Sequence, residues 1–262
     1  MKENSAALRT IDRLAQGLVV VALLGELCAV LSNVLARVWL HHSFLWADEV
    51  ARFALSTLAF VGGAVAYRRR EHAVVSLALD FLPKRAKAVC LAMADVLVLF
   101  VAVLVGVASI EFLASSWSER TPILQVPAAF IGMPLPLGMA LIALFAMVHL
   151  WREHWHDAWK VAVVFAVVLG IAIATHDAWV SHFVGDRAIT VALALFFVAI
   201  FAGVPVGFVL LLSTVVYMWT SGSSSLVVVP QSMVNGTGNF ILLAVPFFIL
   251  AGLIMERGGM SV

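Results

Sequence analysis

The stretch VAVVFAVVLGIAIA, Val161–Ala174, contains no charged side chain. Extended to residues 159–176, it would form a helix of roughly 27 Å, enough to cross the hydrocarbon core of a bilayer. Polar and aromatic residues flank it on both sides, in 151–160 and in 175–187. We therefore predict a transmembrane connector helix over residues 158–176, which joins a complete four-span unit to the start of a second membrane unit.

The composition of the whole chain also favours lipid as the main solvent. Of the 262 residues, 63% are hydrophobic and 12% are charged, whereas soluble domains carry about 25% charged residues. The net charge of +1 says nothing about a nucleic-acid partner, and the sequence has no basic stripe interleaved with aromatics, so we predict no such partner. Cys28 and Cys90 lie in apolar runs without redox or metal spacing. The first apolar run has no clean cleavage site, which predicts an uncleaved span rather than a signal peptide.

The remaining apolar runs predict the other membrane segments. In the first unit, residues 1–157, the predicted spans are 14–38, 50–67, 88–113 and 130–150. A short amphipathic helix at the membrane surface is predicted over 73–82, where apolar and polar residues mix. The second unit, residues 188–262, holds two apolar runs, 188–219 and 226–255. The predicted fold class is therefore an all-α integral membrane protein.

The lysines and arginines near the span ends predict the orientation. With the N-terminus in the cytoplasm, the inner segments 1–13, 68–87 and 152–160 hold eleven of these cations, and the outer segments hold four. The four-span unit would then begin and end inside. The connector would place residue 188 on the opposite side of the membrane from residue 158.

Two carboxyl groups are expected at membrane depth, Glu26 in the first span and Asp95 in the third. Charged groups in a membrane are candidates for a proton or ion relay. A protonated or paired carboxyl that holds helices together is the structural alternative. The sequence leaves both interpretations open.

The two ends of the second span carry conspicuous charges. Its outer end holds Trp46, Asp48, Glu49 and Arg52. On a helix, Asp48 and Arg52 would be neighbours four residues apart and could pair. This end is interpreted as an interfacial anchor or, alternatively, as a docking or subunit contact. At the inner end stand Arg68, Arg69 and Arg70, which predict a topology lock at the cytoplasmic face.

The segment Trp151–Trp159 invites a metal or haem hypothesis because histidines and acids recur in it and beside it. His149, Glu153, His156 and Asp157 could share one helical face. An aromatic belt at the membrane boundary explains the tryptophans without further assumption. We predict no metal site and no catalytic residue, and the haem hypothesis is weakened because most histidines lie at span ends.

The two long apolar runs of the second unit are interrupted. Gly203-Val-Pro-Val-Gly207 breaks the first, and Asn235-Gly-Thr-Gly-Asn239 and Pro246 break the second. Discontinuous helices build ion and substrate sites in secondary transporters. Gly203, Pro205, Asn235 and Asn239 are therefore candidate substrate- or ion-binding positions. A simple kink followed by an interfacial loop remains the alternative.

Several motifs resemble those of a known family. The run Trp46-Ala-Asp-Glu-Val-Ala-Arg-Phe, followed by Phe60-Val-Gly-Gly-Ala and Arg69-Arg-Glu-His, is similar to the small (Q-type) membrane subunit of TRAP transporters, the tripartite ATP-independent periplasmic transporters. Thr121-Pro-Ile-Leu-Gln-Val-Pro127 and Pro136-Leu-Gly138 resemble its second hallmark. Three later motifs resemble the opening of the large (M-type) subunit: Gly203-Val-Pro-Val-Gly-Phe208, Ala244-Val-Pro-Phe-Phe-Ile-Leu-Ala-Gly252 and Arg257-Gly-Gly.

The resemblance implies a fused Q–M permease in the bacterial inner membrane. It implies sodium-coupled secondary uptake of a small organic anion, typically a carboxylate, delivered by a periplasmic binding protein. Sodium would be the coupling ion, and no other cofactor is implied. The M-type part would move like an elevator, and the Q-type part would widen its static scaffold. Because M-type subunits are several hundred residues long, we expect a chain truncated early in that part, inactive alone, with most ligands beyond Val262.

Two other classes of function compete with transport. The chain could be a membrane scaffold that only assembles with a partner, or a membrane redox protein that binds haem through its histidines. Sodium-dependent uptake by the full-length gene product would separate the first hypothesis from these two. The substrate, the sodium stoichiometry and the oligomeric state are not encoded in any pattern that we recognise.

Overall fold

The computed structural model describes residues 6–74, 81, 83–153, 155–175, 186–222 and 225–259. Its regular structure within these ranges is helical, and Arg120 and Pro127 form an isolated β-bridge. The helices are α1 Ala6–Trp39, α2 Trp46–Arg68, α3 Lys84–Ser116, α4 Ala129–Gly132, α5 Pro134–Glu153, α6 Trp155–Ala174, α7 Asp186–Phe201, α8 Val206–Ser221, α9 Val228–Thr237, α10 Phe240–Leu243 and α11 Val245–Arg257. The predicted all-α class is confirmed.

Four segments of the described chain are long and apolar enough to cross a membrane. They are Leu8–Trp39, Trp46–Arg68, Arg85–Ser116 and Ala129–Arg152, the last formed by α4 and α5 together. Each contains one of the four predicted spans of the first unit. Large apolar side chains remain exposed along them, for example Val21 at 67% and Val107 at 63%, as expected for surfaces that face lipid. The predicted surface helix over 73–82 lies mostly outside the described residues.

The α2 helix begins at Trp46, four residues before the start predicted for the second span. Its first turn contains Asp48 and Glu49, and acidic side chains there are favoured by the helix dipole. Near the end of α1, the Asn33 side chain accepts a hydrogen bond of 2.8 Å from the Phe44 amide. It thereby fixes the turn that leads into α2.

The α6 helix corresponds to the predicted connector, and it is apolar on almost every side. Between residues 159 and 174 no side chain is buried, and only a narrow stripe at 161, 165, 169 and 172 is partly covered. Within that stripe, Phe165 meets the Phe100 ring of α3 edge to face at 5.2 Å between centroids. A helix that is hydrophobic all round and little packed suits a lipid environment.

Both predicted interruptions of the later apolar runs are confirmed. Residues 202–205 separate α7 from α8, and Gly203 adopts a left-handed conformation with φ of 84°. The second run bends by 54° between Val228–Thr237 and Ile241–Arg257. One detail was wrong, because residues 235–237 continue α9 and the break begins at Gly238. Asn239 then caps α10 by accepting a hydrogen bond from the Ile241 amide at 3.1 Å.

The described residues fall into two compact units. The first contains those of 1–65, 109–138 and 230–262, and the second contains those of 66–108 and 139–229. Each unit therefore combines parts of the predicted four-span unit with parts of the chain after the connector. In the first unit Leu243 packs with Ala51 and Leu55.

Close backbone contact joins α2 and α5 inside the first unit. A Cβ atom added at Gly138 would lie 2.5 Å from the Phe60 carbonyl oxygen, so only glycine permits this approach. Nearby, the Ser56 hydroxyl donates a 2.8 Å hydrogen bond to the Ile131 carbonyl. Small residues and hydroxyl bonds of this kind are typical of helix packing in membranes.

Candidate functional site

The second compact unit, which contains the described residues of 66–108 and 139–229, holds a cavity of about 80 Å³ where four segments of the chain meet. Its lining comes from the end of α2, from α3, from α5 and from the break before α8. The lining residues are Tyr67, Arg70, His72, Val74, Leu91, Ala94, Asp95, His149, Gly203 and Pro205. This volume suffices for several water molecules. It falls well short of the roughly 300 Å³ or more of ordinary small-molecule pockets, so we do not interpret it as a substrate pocket.

The C-terminal end of α2 brings Arg70 to the cavity through a specific turn. The Glu71 amide donates to the Ala66 carbonyl and the Arg70 amide to the Tyr67 carbonyl, both at 3.0 Å. Arg70 adopts a φ of 56°. These two bonds and the left-handed residue define a Schellman motif, in which glycine usually occupies the position of Arg70.

Asp95 of α3 is a paired carboxyl in this site. It is 6% exposed and accepts a 2.7 Å hydrogen bond from the Tyr67 hydroxyl on Oδ1. The Arg70 Nη2 atom lies 3.9 Å from Oδ2, and in the described part of the chain that oxygen accepts no hydrogen bond. The geometry matches the arrangement of the paired carboxyl, one of the two alternatives that the sequence left open.

Aromatic contacts join the end of α2 to the beginning of α8. The Phe208 ring meets Tyr67 at 5.9 Å and His72 at 5.8 Å between centroids, both edge to face. His149 of α5 lies 5.4 Å from Tyr67 on another side. The Val206 amide donates a 3.1 Å hydrogen bond to the Ala73 carbonyl. The first helical amide after the break is therefore satisfied from the segment that follows α2.

Glu49 organises a second polar site, in the first unit. The side chain is buried, and its carboxylate accepts hydrogen bonds from the amides of Ile123 at 2.7 Å and Leu124 at 2.9 Å. The loop 117–128 is thereby attached to the first turn of α2. Asp48 and Arg52, which could pair by their spacing, form no ion pair within the described residues. Asp48 is exposed, and the buried carboxylate of this turn belongs to its neighbour.

The other charged and aromatic candidates of α2 lie apart from one another. The Arg68 guanidinium stands over the Phe145 ring at 5.5 Å, and Arg69 is exposed. Trp46 is 41% exposed and stacks on Phe44 at 5.8 Å between centroids. The three arginines therefore have different surroundings, and two of them make specific contacts inside the protein.

Glu26 lies in the first unit and is 0% exposed. Neither of its carboxyl oxygens has a hydrogen-bond partner among the described residues. The remaining candidates divide between the units. Gly203 and Pro205 line the cavity of the second unit. In the first unit, Asn235 lies in the last turn of α9 and Asn239 lies in the break that follows it.

The histidine-rich segment gives no metal site in the part of the chain that can be described, since no three potential ligands come together there. The side chains of residues 153–158, which include Glu153, His156 and Asp157, lie outside that part. His149 instead takes part in the cavity lining.

Sequence reasoning missed Tyr67, His72, His149 and Phe208 as members of one site. The available sequence signal was Tyr67 at the end of the second span and Asp95 in the third span, since neighbouring spans can bring such residues together. Such a pairing becomes visible only when the helix packing is known.

Within the described residues, four segments are long and apolar enough to cross a membrane, and two further apolar runs are broken. These features define a multi-pass α-helical membrane protein, the class to which secondary transporters belong. Two family models match the chain: "Tripartite ATP-independent periplasmic transporters, DctQ component" over residues 26–154, and "Tripartite ATP-independent periplasmic transporter, DctM component" over residues 193–262. The chain belongs to the TRAP transporter permeases, with a DctQ-type segment followed by a DctM-type segment. Both matching models describe components of membrane transporters.

Individual relatives agree with this assignment. The sialic acid TRAP transporter permease protein SiaT of Haemophilus influenzae is 24% identical over 94% of this chain and 41% of its own length. The isethionate TRAP transporter permease protein DctMQ of Oleidesulfovibrio alaskensis is 26% identical over 86% of this chain and 35% of its own length. The small permease protein SiaQ of Vibrio cholerae is 28% identical over 50% of this chain and 76% of its own length. The chain thus spans about two fifths of the length of the two long relatives.

Proposed function

We propose that this chain serves in the membrane component of a sodium-coupled TRAP transporter that imports a small organic anion. A periplasmic binding protein would deliver the substrate, and the N-terminus would lie in the cytoplasm of a bacterial inner membrane. The observation that carries the proposal is the succession of DctQ-type and DctM-type segments in one chain, with a confirmed helix break at residues 202–205 in the second.

The broken helix supports transport because irregular backbone at membrane depth is tolerated only where protein or a cavity surrounds it. Here Gly203 and Pro205 line a small cavity inside the protein, and Val204 is 0% exposed. Secondary transporters place ion and substrate groups at such interruptions. The cavity is too small for an organic anion, so the substrate path would be formed by other parts of the transporter.

The names of two relatives support an anionic substrate. SiaT is named for sialic acid and DctMQ for isethionate, which are a carboxylate and a sulfonate. We infer the broader class of small organic anions and, within it, a carboxylate as the first substrate to test.

We further propose that α6 is the transmembrane connector, flanked by a four-span unit over residues 1–157 and a second unit from residue 188. The family matches end at 154 and resume at 193, and α6 lies between them. Its apolar, little-covered surface supports a helix in lipid. Introduced cysteines at the exposed positions Lys160 and Arg187, in a background without Cys28 and Cys90, should react with impermeant maleimide from opposite sides. Labelling from the same side would contradict the connector.

Transport itself is tested with the full-length gene product in proteoliposomes. With the binding protein and its radiolabelled carboxylate outside, an inward sodium gradient should drive uptake, and an equal potassium gradient should not. A scaffold would reconstitute but give no uptake under any gradient. A haem protein would show an absorption band near 400 nm, roughly where porphyrins absorb, after purification. Uptake that is equal with potassium would refute sodium coupling.

A further inference from the structure

We propose that Tyr67, Asp95 and Arg70 are positioning residues through which the DctQ-type segment holds the helix break of the DctM-type segment in place. This inference rests on the proposed function, because the break is taken to belong to the transport machinery. The contacts themselves are independent of it.

The backbone at the break needs a hydrogen-bond partner from outside its own helix. Pro205 has no amide hydrogen, and its carbonyl accepts from the Phe208 and Val209 amides at 2.9 and 3.1 Å. The Val206 amide, which comes two residues before Phe208, has no acceptor in its own helix. It donates its hydrogen bond to the Ala73 carbonyl instead. A helix that begins at membrane depth must satisfy its first amides within the protein, because lipid offers no acceptor. The carbonyl of Ala73 thus acts as an external cap for α8.

The Ala73 carbonyl is held in place by the turn at the end of α2. Residues 69–74 follow α2 without regular structure, so this turn sets their path. Tyr67 in the turn is fixed twice, by its hydroxyl on Asp95 and by its ring against Phe208. His72, next to Ala73, packs on the same Phe208 ring. The cap and the aromatic contacts therefore form one connected cluster.

Arginine is an unusual residue at position 70, because the backbone there is left-handed. This left-handed conformation is the one for which glycine has no steric cost, and an arginine there is strained. A strained residue persists when its side chain has a function elsewhere. The Arg70 guanidinium lines the cavity and faces the Asp95 oxygen that lacks a hydrogen bond. The arginine thus brings a positive charge to Asp95 at the expense of strain in the turn.

The test is amide hydrogen exchange at Val206, measured by fragmentation mass spectrometry on the full-length protein in detergent. Tyr67→Phe, Asp95→Asn and Arg70→Gly should each raise its exchange rate on the order of tenfold, the factor expected for weakening about one hydrogen bond. Two matched controls, Tyr217→Phe and Glu111→Gln, change the same chemistry at sites outside the cavity, and Glu111 lies in the same helix as Asp95. They should leave the rate unchanged.

The Arg70→Gly variant distinguishes a positioning role of the side chain from a role in the turn alone. Its melting temperature shows whether the variant still folds. Glycine relieves the turn, so this variant should keep or raise the melting temperature while exchange at Val206 accelerates. Arg70→Lys, which keeps the charge, should restore much of the protection. If Arg70→Gly left exchange at Val206 unchanged, the arginine would only occupy the turn and the proposal would be overturned. Equal acceleration of exchange in the two control variants would overturn it as well.

The exchange measurement does not depend on transport, so the two proposals can fail separately. Unchanged exchange with normal sodium-driven uptake would leave the transporter intact and refute the positioning role. Accelerated exchange in the three variants, in a protein that never transports, would support the positioning role and refute the proposed function.

Discussion

Replacing Glu49 with glutamine tests how the outer loop is attached to α2. The wild-type carboxylate accepts two main-chain amides, from Ile123 and Leu124, at 2.7 and 2.9 Å. Glutamine keeps one carbonyl acceptor, but it presents an NH₂ group to the second amide and removes the negative charge. A hydrogen bond to a charged group contributes about 1.5–3 kcal/mol. Glu49→Gln should therefore weaken the closed loop by about 2 kcal/mol, which raises the population of the open loop roughly thirtyfold.

Trypsin cleavage after Arg120, an exposed residue of the same loop, reports this population. In the closed loop the Arg120 backbone is paired with Pro127, and a protease needs an extended, released segment. When opening and closing are fast, cleavage follows the open population. The rate of cleavage after Arg120 in the detergent-solubilised protein should then rise by about the same factor, and Ile123 and Leu124 should lose exchange protection.

The control for this prediction is Asp48→Asn, which removes the neighbouring exposed carboxylate from the same helical turn. It should leave cleavage within about twofold of wild type, because exposed charges contribute little. If Glu49→Gln and Asp48→Asn were cleaved equally slowly, the two hydrogen bonds would not hold the loop. If both were cleaved equally fast, the effect would come from the charge of the helix end rather than from the bonds.

Three further predictions, two of them with a control variant, probe helix packing, backbone conformation and a buried carboxyl. Gly138→Ala places a Cβ against a carbonyl oxygen and should destabilise by about 2–4 kcal/mol, whereas Gly170→Ala meets open space on α6 and should be neutral or stabilising in a melting experiment. Gly203→Ala forces a side chain into a left-handed conformation and should lower stability by about 1–2 kcal/mol; Gly207→Ala, in open helical space, should not. Glu26→Met breaks no hydrogen bond in the described residues and should keep or raise the melting temperature; a clear loss would reveal a partner for the carboxyl.

The sequence predicted helices well and contacts poorly, for a physical reason. A membrane span follows from local composition, because about twenty apolar residues must form a helix in lipid whatever lies beside them. The glycines and prolines at 203–207 likewise act on their own backbone, so the break was visible in the sequence. Each of these features depends on neighbours along the chain.

The polar contacts depend instead on residues far apart in sequence. Tyr67 and Asp95 are 28 positions apart, and Glu49 and Ile123 are 74 positions apart. The local rule of pairing four residues apart suggested Asp48 with Arg52, but the loop amides selected the adjacent carboxylate. The arginine run was interpreted only as a topology signal, since no sequence pattern shows that its third member adopts a left-handed conformation.

The two family segments are joined in two physically different ways. The α6 helix links them covalently, yet it contributes only a narrow covered stripe to packing. Contacts between the segments occur within each compact unit: Leu243 packs with Ala51 and Leu55 in the first, and Phe208 packs with Tyr67 in the second. Contacts of this kind are noncovalent and act independently of the covalent link. Under our proposal, the distinctive contribution of α6 is to set the side of the membrane on which the second segment begins.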